Sequence, residues 1–256
     1  MSRRAVLAAI ALAAVALPAA AYLPPAPAIL RRVAQRRDGL GLAAIEVRGT
    51  LAFSGDAAQR AAAVTGLPST GPELAIPAIV VLKVPGRCRL ELAPDGVATG
   101  DRPAISMRGA RVTGHRGLDG VPAARALVEG VCTLLGEKGA GGAEPERPLA
   151  QALAAKGVAL GDVTLGRLSG RIAWVIGGRA QDTRPQAWVD KQSFQPARLV
   201  ATLGGAQRDV RLLDFGSPVG GDAFPRAVEV WSGGRLEARF TIEKLVQNPR
   251  VPDAVF

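Results

Sequence analysis

Gly233-Gly234-Arg235-Leu236-Glu237-Ala238-Arg239-Phe240-Thr241-Ile242-Glu243 is the stretch that decides the fold. Leu236, Ala238, Phe240 and Ile242 fall on every second residue, and Glu237, Arg239, Thr241 and Glu243 fill the gaps. Side chains along an extended strand point alternately to opposite faces, so this strand has one dry face and one wet face. One-sided strands of this kind belong to antiparallel sheets. The Gly233-Gly234 pair before it reads as a tight hairpin turn, as does Gly204-Gly205.

The same pattern extends upstream. Ala227–Trp231, Asp209–Phe215, Pro196–Leu203 and Ala187–Asp190 read as strands with short turns between them. Leu168, Ile172, Trp174 and Ile176 alternate with Ser169, Arg171 and Ala173, which reads as one further strand. In the N-terminal half, Ile45, Val47, Leu51 and Phe53 share one face, with Glu46, Arg48 and Thr50 on the other. Ala78–Val84 is an apolar strand, and Arg87–Leu92 places Cys88, Leu90 and Leu92 on one side. Ile105–Met107 and Arg111–Thr113 are short candidates. The total is about 9–11 strands in meander order, a mainly β (α+β) chain.

Four helical segments interrupt the strands. Pro24–Arg37 carries Ile29, Leu30 and Val33 on one face, with Arg31, Arg32, Arg36 and Arg37 mostly elsewhere. Asp56–Val64 lies within an insertion spanning Ser54–Leu74. Pro122–Leu135 has proline in its first turn and a stripe of Leu127, Val128, Val131, Leu134 and Leu135. After a polar linker, Gly136–Arg147, a short helix from Pro148 to about Lys156 turns Leu149, Ala152 and Leu153 inward. A sheet of this width has a large apolar concave face, and three short helices would stopper only part of it. With aromatics at 4% of the chain, its filling is aliphatic.

The first 21 residues read as a cleaved export signal. Arg3 and Arg4 precede an uninterrupted apolar run, Ala5 to Leu17, then Pro18 and the small residues Ala19-Ala20-Ala21. Thirteen residues of helix span about 20 Å, short of the ~30 Å of a bilayer core. A plain basic leader is preferred to a twin-arginine signal, and no cysteine follows to take a lipid. The expected compartment is therefore the periplasm, with residues 22–256 forming one domain. Two cysteines, Cys88 and Cys132, in an oxidising compartment lead to the expectation of one disulfide.

The chain carries a formal net charge of +10, and 27 of its 32 basic residues are arginine. Export argues against a nucleic-acid partner, and the arginines are scattered, which suits a solvated basic surface with at most a weak attraction to anionic headgroups. His115 is the only histidine, and no Gly-x-Ser-x-Gly elbow is present. Asp182, Asp190 and Asp214 are not ordered into a site by any motif, and Asp190 suits a turn. Catalytic residues, metal ligands and cofactors are therefore not expected.

Three further motifs point to a family. Trp188-Val189-Asp190-Lys191-Gln192-Ser193-Phe194-Gln195-Pro196 resembles the strand-turn-strand signature of LolA-like and LolB-like lipoprotein carriers, an architecture shared by the regulator RseB. Lys83-Val84-Pro85-Gly86-Arg87-Cys88-Arg89-Leu90-Glu91 resembles the same superfamily's hairpin, and Phe224-Pro225, Ile242, Asn248, Pro252-Asp253 and Phe256 resemble its closing pattern. The resemblance spans about Pro24 to Phe256. It implies an open antiparallel half-barrel with helices plugging the concave face, and an activity without catalysis: holding acyl chains of lipoproteins or other lipids, as a monomer, with envelope membrane proteins as further partners. Under it, the candidate lining is Val47, Leu51, Leu90, Leu92, Leu127, Val131, Leu168, Ile172 and Trp174, and a Cys88–Cys132 bridge would join a hairpin to the lid helix. The family's lid-latching arginine is replaced here by Val84, leaving Arg48, Arg87 or Arg89 as substitutes. The alternative reading is an RseB-like envelope sensor that binds a protein or lipid signal. A hydrolase ranks last.

Overall fold

The computed structural model describes residues 23–68 and 71–256. The expected export signal, residues 1–21, lies outside the described residues, as do Ser69 and Thr70 of the 54–74 insertion. No described helix is long and apolar enough to cross a membrane.

Twelve strands form one sheet: β1 (Ala44–Ser54), β2 (Glu73–Lys83), β3 (Arg87–Leu92), β4 (Ala104–Arg108), β5 (Arg111–His115), β6 (Val163–Leu168), β7 (Arg171–Ile176), β8 (Gln186–Asp190), β9 (Pro196–Leu203), β10 (Ala206–Leu213), β11 (Ala227–Ser232) and β12 (Arg235–Gln247). The order is β5-β4-β3-β2-β1-β12-β11-β10-β9-β8-β7-β6. Every neighbouring pair is antiparallel. The sheet is open, with β5 and β6 as its edges. Two meanders, one from each half of the chain, are joined at the centre where β1 pairs with β12 from Ile45↔Gln247 to Phe53↔Ala238.

One strand more than expected arises at β6–β7. The stretch read as a single strand through Leu168–Ile176 is broken by Ser169 and Gly170, whose φ angles are +48° and +81°. Leu168 pairs with Arg171 across this turn, the geometry of a two-residue primed hairpin. The turn resets the alternation. Leu168 therefore shares a face with Arg171 and Ala173, opposite to Ile172 and Trp174, which corrects its placement on the concave lining.

Four α-helices lie among the described residues: α1 (Ala26–Gly39), α2 (Asp56–Thr65), α3 (Pro122–Leu135) and α4 (Arg147–Ala155). The concave face is filled rather than partly stoppered. Twelve of the 14 residues of α3 are buried. They pack in one cluster with Val47, Leu51, Leu90, Leu92, Phe224 and Phe240, and with Ile29, Leu30 and Val33 of α1. Gly130 lets α3 settle this deeply: a Cβ there would lie 2.8 Å from both methyl carbons of Val210 on β10. Phe224 and Phe240 meet edge to face, with ring centroids 6.3 Å apart.

Arg37 departs from the pattern expected of α1. It turns inward, 9% exposed, and donates to the carbonyls of Leu135 at 3.1 Å and Ala223 at 2.8 Å. A helix end leaves carbonyls without intrahelical donors, and Arg37 supplies one to the last residue of α3. Burial pushes its guanidinium down to about 10, which leaves it charged at neutral pH.

Cys88 on β3 and Cys132 on α3 are joined by a disulfide that closes a sequence separation of 44 residues. The bridge fastens α3 to the sheet at the end that Arg37 caps. Replacing both cysteines by serine is expected to lower unfolding free energy by about 2–4 kcal/mol, mainly through the freed unfolded chain. Gly130→Val is expected to cost about 1–3 kcal/mol by lifting α3 from Val210. Urea unfolding measures both, with unchanged far-ultraviolet circular dichroism expected for the double serine variant.

Candidate functional site

Of the four α-helices among the described residues, α4 has the fewest buried side chains. Only Leu149 and Leu153 are buried along it. Two apolar side chains fix a nine-residue helix weakly, and ion pairs hold its ends. At the N-terminus, Arg31 of α1 donates from Nε and Nη2 to Glu146 at 3.1 and 2.9 Å. At the C-terminus, Lys156 Nζ donates to Glu129 Oε2 of α3 at 3.0 Å, while Arg125 holds the other oxygen at 2.8 Å. Glu129 is 5% exposed, so this pair sits at the edge of the core.

The three arginines named as substitutes for the arginine that Val84 replaces make other contacts. Arg48 pairs with Glu46, Arg87 with Asp253, and Arg89 with Glu91. Arg89 also donates to the Val255 carbonyl of the chain's end at 3.0 Å. None of the three is bonded to one of the four α-helices, because all lie on the strand face opposite Val47, Cys88 and Leu90. Arg48, Arg87 and Arg89 therefore do not reach α3 or α4, and the side-chain contacts at the ends of α4 come from Arg31 and Lys156.

A cleft of about 330 Å³ opens between α4, the last turn of α3 and the β4–β5 hairpin. Its lining includes Met107, Ala110, Cys132, Pro148, Ala152 and Ala155, mostly apolar, with Thr133, Gln151, Glu137 and Lys156 also contributing. Met107 is 7% exposed and belongs to the main core, so the floor of the cleft is the core itself. Burial raises the pKa of the Glu137 carboxyl.

The residues expected to line a cavity divide into three groups. Val47, Leu51, Leu90, Leu92, Leu127 and Val131 all sit at 0% exposure inside the core, and none borders the cleft. Trp174 joins the same core from the β7 end. Leu168 packs on the outer face with Ala173, Val175 and Trp188, and Ile172 is 44% exposed at the rim. The cleft joins Met107 of β4 to Ala155 of α4, and nothing local in the sequence marks either residue because the two elements are far apart in the chain. Ala152 was read as inward, but only its spacing with Leu149 and Leu153 marked it.

The tryptophan-aspartate motif is architectural. Trp188 faces the outer cluster, stacked by the Arg198 guanidinium 4.7 Å from its centroid. Asp190 Oδ1 accepts from the backbone N–H groups of Gln192 and Ser193 at 3.0 and 2.8 Å, tying the β8–β9 turn. Despite partial burial, these donors and Arg171 hold its carboxyl below the usual range. Asp182 accepts from the Arg179 N–H and from Arg184. His115 Nε2 lies 3.1 Å from the Gly100 carbonyl, on an exposed edge strand. Among the described residues there is no group of three or more His, Cys, Asp or Glu placed to hold a metal ion.

No family model matches the chain, and no curated protein matches it. Solved structures similar to it include a LolA superfamily protein from Nitrosomonas europaea, at 13% identity and a TM-score of 0.45, over 91% of this chain and 98% of that one. Another is a DUF1329 family protein from Desulfovibrio piger, at 12% identity and a TM-score of 0.42, over 91% and 98%. A third is MucB in complex with MucA(peri), at 15% identity and a TM-score of 0.29, over 90% of this chain and 58% of that one.

The Arg31–Glu146 pair at the start of α4 gives it a pH and salt dependence. Arg31's hydrogen bonds hold the Glu146 carboxyl below its ordinary value of 4.5. The attachment it provides is complete above pH 4.5 and is lost as the pH falls through the lower folded-state value. The anisotropy of a fluorophore at position 154 is expected to fall on acidification below pH 4.5 and, more modestly, in high salt. An Arg31→Ala, Lys156→Ala variant is expected to be cut by thermolysin within α4 several times faster at neutral pH, because cleavage follows the population of the locally opened helix.

Proposed function

We propose that this chain is a non-catalytic binding protein of the periplasm that takes an acyl chain of a lipid or lipoprotein beneath α4. The observation that carries the proposal is the apolar cleft of about 330 Å³ whose outer wall is the most weakly seated helix of the fold. A volume near the lower end of the ~300–1,000 Å³ typical of ligand sites suits one apolar chain rather than several. Each methylene buried contributes about 0.8 kcal/mol. A chain of roughly 15 carbons, fully buried, would be held too tightly to release. Opening α4 spends part of that energy on breaking the Arg31–Glu146 and Lys156–Glu129 pairs and exposing Leu149 and Leu153. Binding thus stays reversible, as a carrier requires.

The motif resemblance in the hairpin and in the β8–β9 turn supports the same reading. The disulfide between α3 and β3 limits it, because α3 stays down while α4 moves. The filled bowl favours a second reading, an RseB-like interaction module that signals an envelope state through a protein partner rather than moving cargo.

Delipidated protein is expected to take up a fluorescent fatty acid with 1:1 stoichiometry. Ala152→Trp, which fills the cleft, is expected to lower the affinity at least tenfold, and Lys156→Ala to speed uptake. Absence of uptake by the unmodified protein, or uptake unchanged by Ala152→Trp, would remove the cleft as the site. A stable protein partner recovered without acyl cargo would favour the interaction module.

A further inference from the structure

At the β6 edge the concave face runs out beyond the helices. Leu165 pairs with Trp174, and Arg167 with Ile172, so these four side chains share the concave side of the β6–β7 ribbon. Leu165 is 43% exposed and Ile172 44%, two of the few large apolar side chains in solvent. Trp174 is 7% exposed, and its indole N–H has no hydrogen-bond partner. Lys191 Nζ lies 5.2 Å from the Trp174 ring centroid. Its backbone N–H donates to the Ile172 carbonyl at 3.0 Å, which brings the β8–β9 turn alongside the β6–β7 turn. Between the two turns lies a cleft of about 470 Å³ lined by Arg167, Gly170, Arg171, Ile172, Asp190, Lys191 and Gln192. Among the described residues Arg171 is paired with Asp190, while Arg167 and Lys191 form no ion pair.

We propose that this rim is a docking surface for a bilayer bearing anionic phospholipid headgroups. Two unpaired cations and two exposed aliphatic side chains, set over the buried Trp174 ring, make an amphipathic surface. A water-soluble acidic protein would satisfy the charges but leave Leu165 and Ile172 without apolar partners. At a bilayer the aliphatic side chains enter the headgroup boundary while the long basic side chains reach the phosphates. The surface lies away from the cleft under α4 and shares no residue with it, so the docking holds whether or not that cleft takes cargo.

The test is co-sedimentation of the full exported chain with vesicles of phosphatidylcholine alone, or of phosphatidylcholine with phosphatidylglycerol. Binding is expected only with phosphatidylglycerol, and to weaken as salt rises. Each cation near an anionic surface is worth about fivefold in partitioning. Arg167→Gln with Lys191→Gln is therefore expected to reduce binding about 25-fold, and Leu165→Ser with Ile172→Ser to reduce it at least fivefold. These positions are exposed, and unchanged circular dichroism verifies folding. Ala152→Trp is expected to leave vesicle binding unchanged. Equal binding to both vesicles, or binding insensitive to both double variants, overturns the proposal. So does binding of soluble polyglutamate with no vesicle binding, which assigns the surface to an acidic protein segment. A dimer in sedimentation velocity that Ile172→Ser dissolves also overturns it, by assigning the surface to a second copy.

Discussion

The pairing of β1 with β12 is the constraint on which the rest of the molecule depends. Each half of the chain makes its own meander, β2 to β5 after β1 and β6 to β11 before β12, and each alone would have a bare central edge. Joining the two over Ile45↔Gln247 to Phe53↔Ala238 removes both edges and makes one continuous concave surface. Between Arg48 and Gly49 the register shifts, and a Cβ at Gly49 would lie 2.0 Å from the Thr241 carbonyl oxygen. Glycine is required there because the strands approach too closely for any side chain. The irregularity also bends β12 locally, as a bulge does.

Once the bowl exists, it must be filled, and the chain fills it asymmetrically. α3 is held by burial along nearly its whole length, by the disulfide to β3 and by the Arg37 cap on Leu135. α4 is held by two leucines and by ion pairs at its ends. The first set of contacts holds through changes of salt and pH, whereas the second includes the Arg31–Glu146 pair, which acid and salt weaken. A fold whose centre is rigid and whose flank is loosely tied can admit a ligand at the flank without losing its core. Local openings of this kind draw on the least buried elements of a structure.

Much of the fold was legible because strands and helices leave local periodic signals. The alternation in Leu236–Glu243, the stripe in Pro122–Leu135 and the Gly204-Gly205 and Gly233-Gly234 turns all stand where the sequence pattern puts them. Leu168 was misplaced because Ser169, a non-glycine residue, adopts a positive φ, and a turn hidden in an apparently regular alternation reverses every later side chain. The site was less legible. The inward turn of Arg37 and the Arg31–Glu146 and Lys156–Glu129 pairs join residues from different elements, and nothing local marks them. The filling of the bowl likewise depends on Gly130 meeting Val210, a contact between a helix and a distant strand.

The central claim is that α4 opens while α3 stays seated, and hydrogen–deuterium exchange resolved by residue tests it most directly. The account predicts that amides of Arg147–Ala155 exchange through a local opening far cheaper than global unfolding, that those of Pro122–Leu135 exchange only on global unfolding, and that a bound fatty acid slows the first set alone. Exchange of both helices at the same slow rate, with neither altered by the fatty acid, would contradict it.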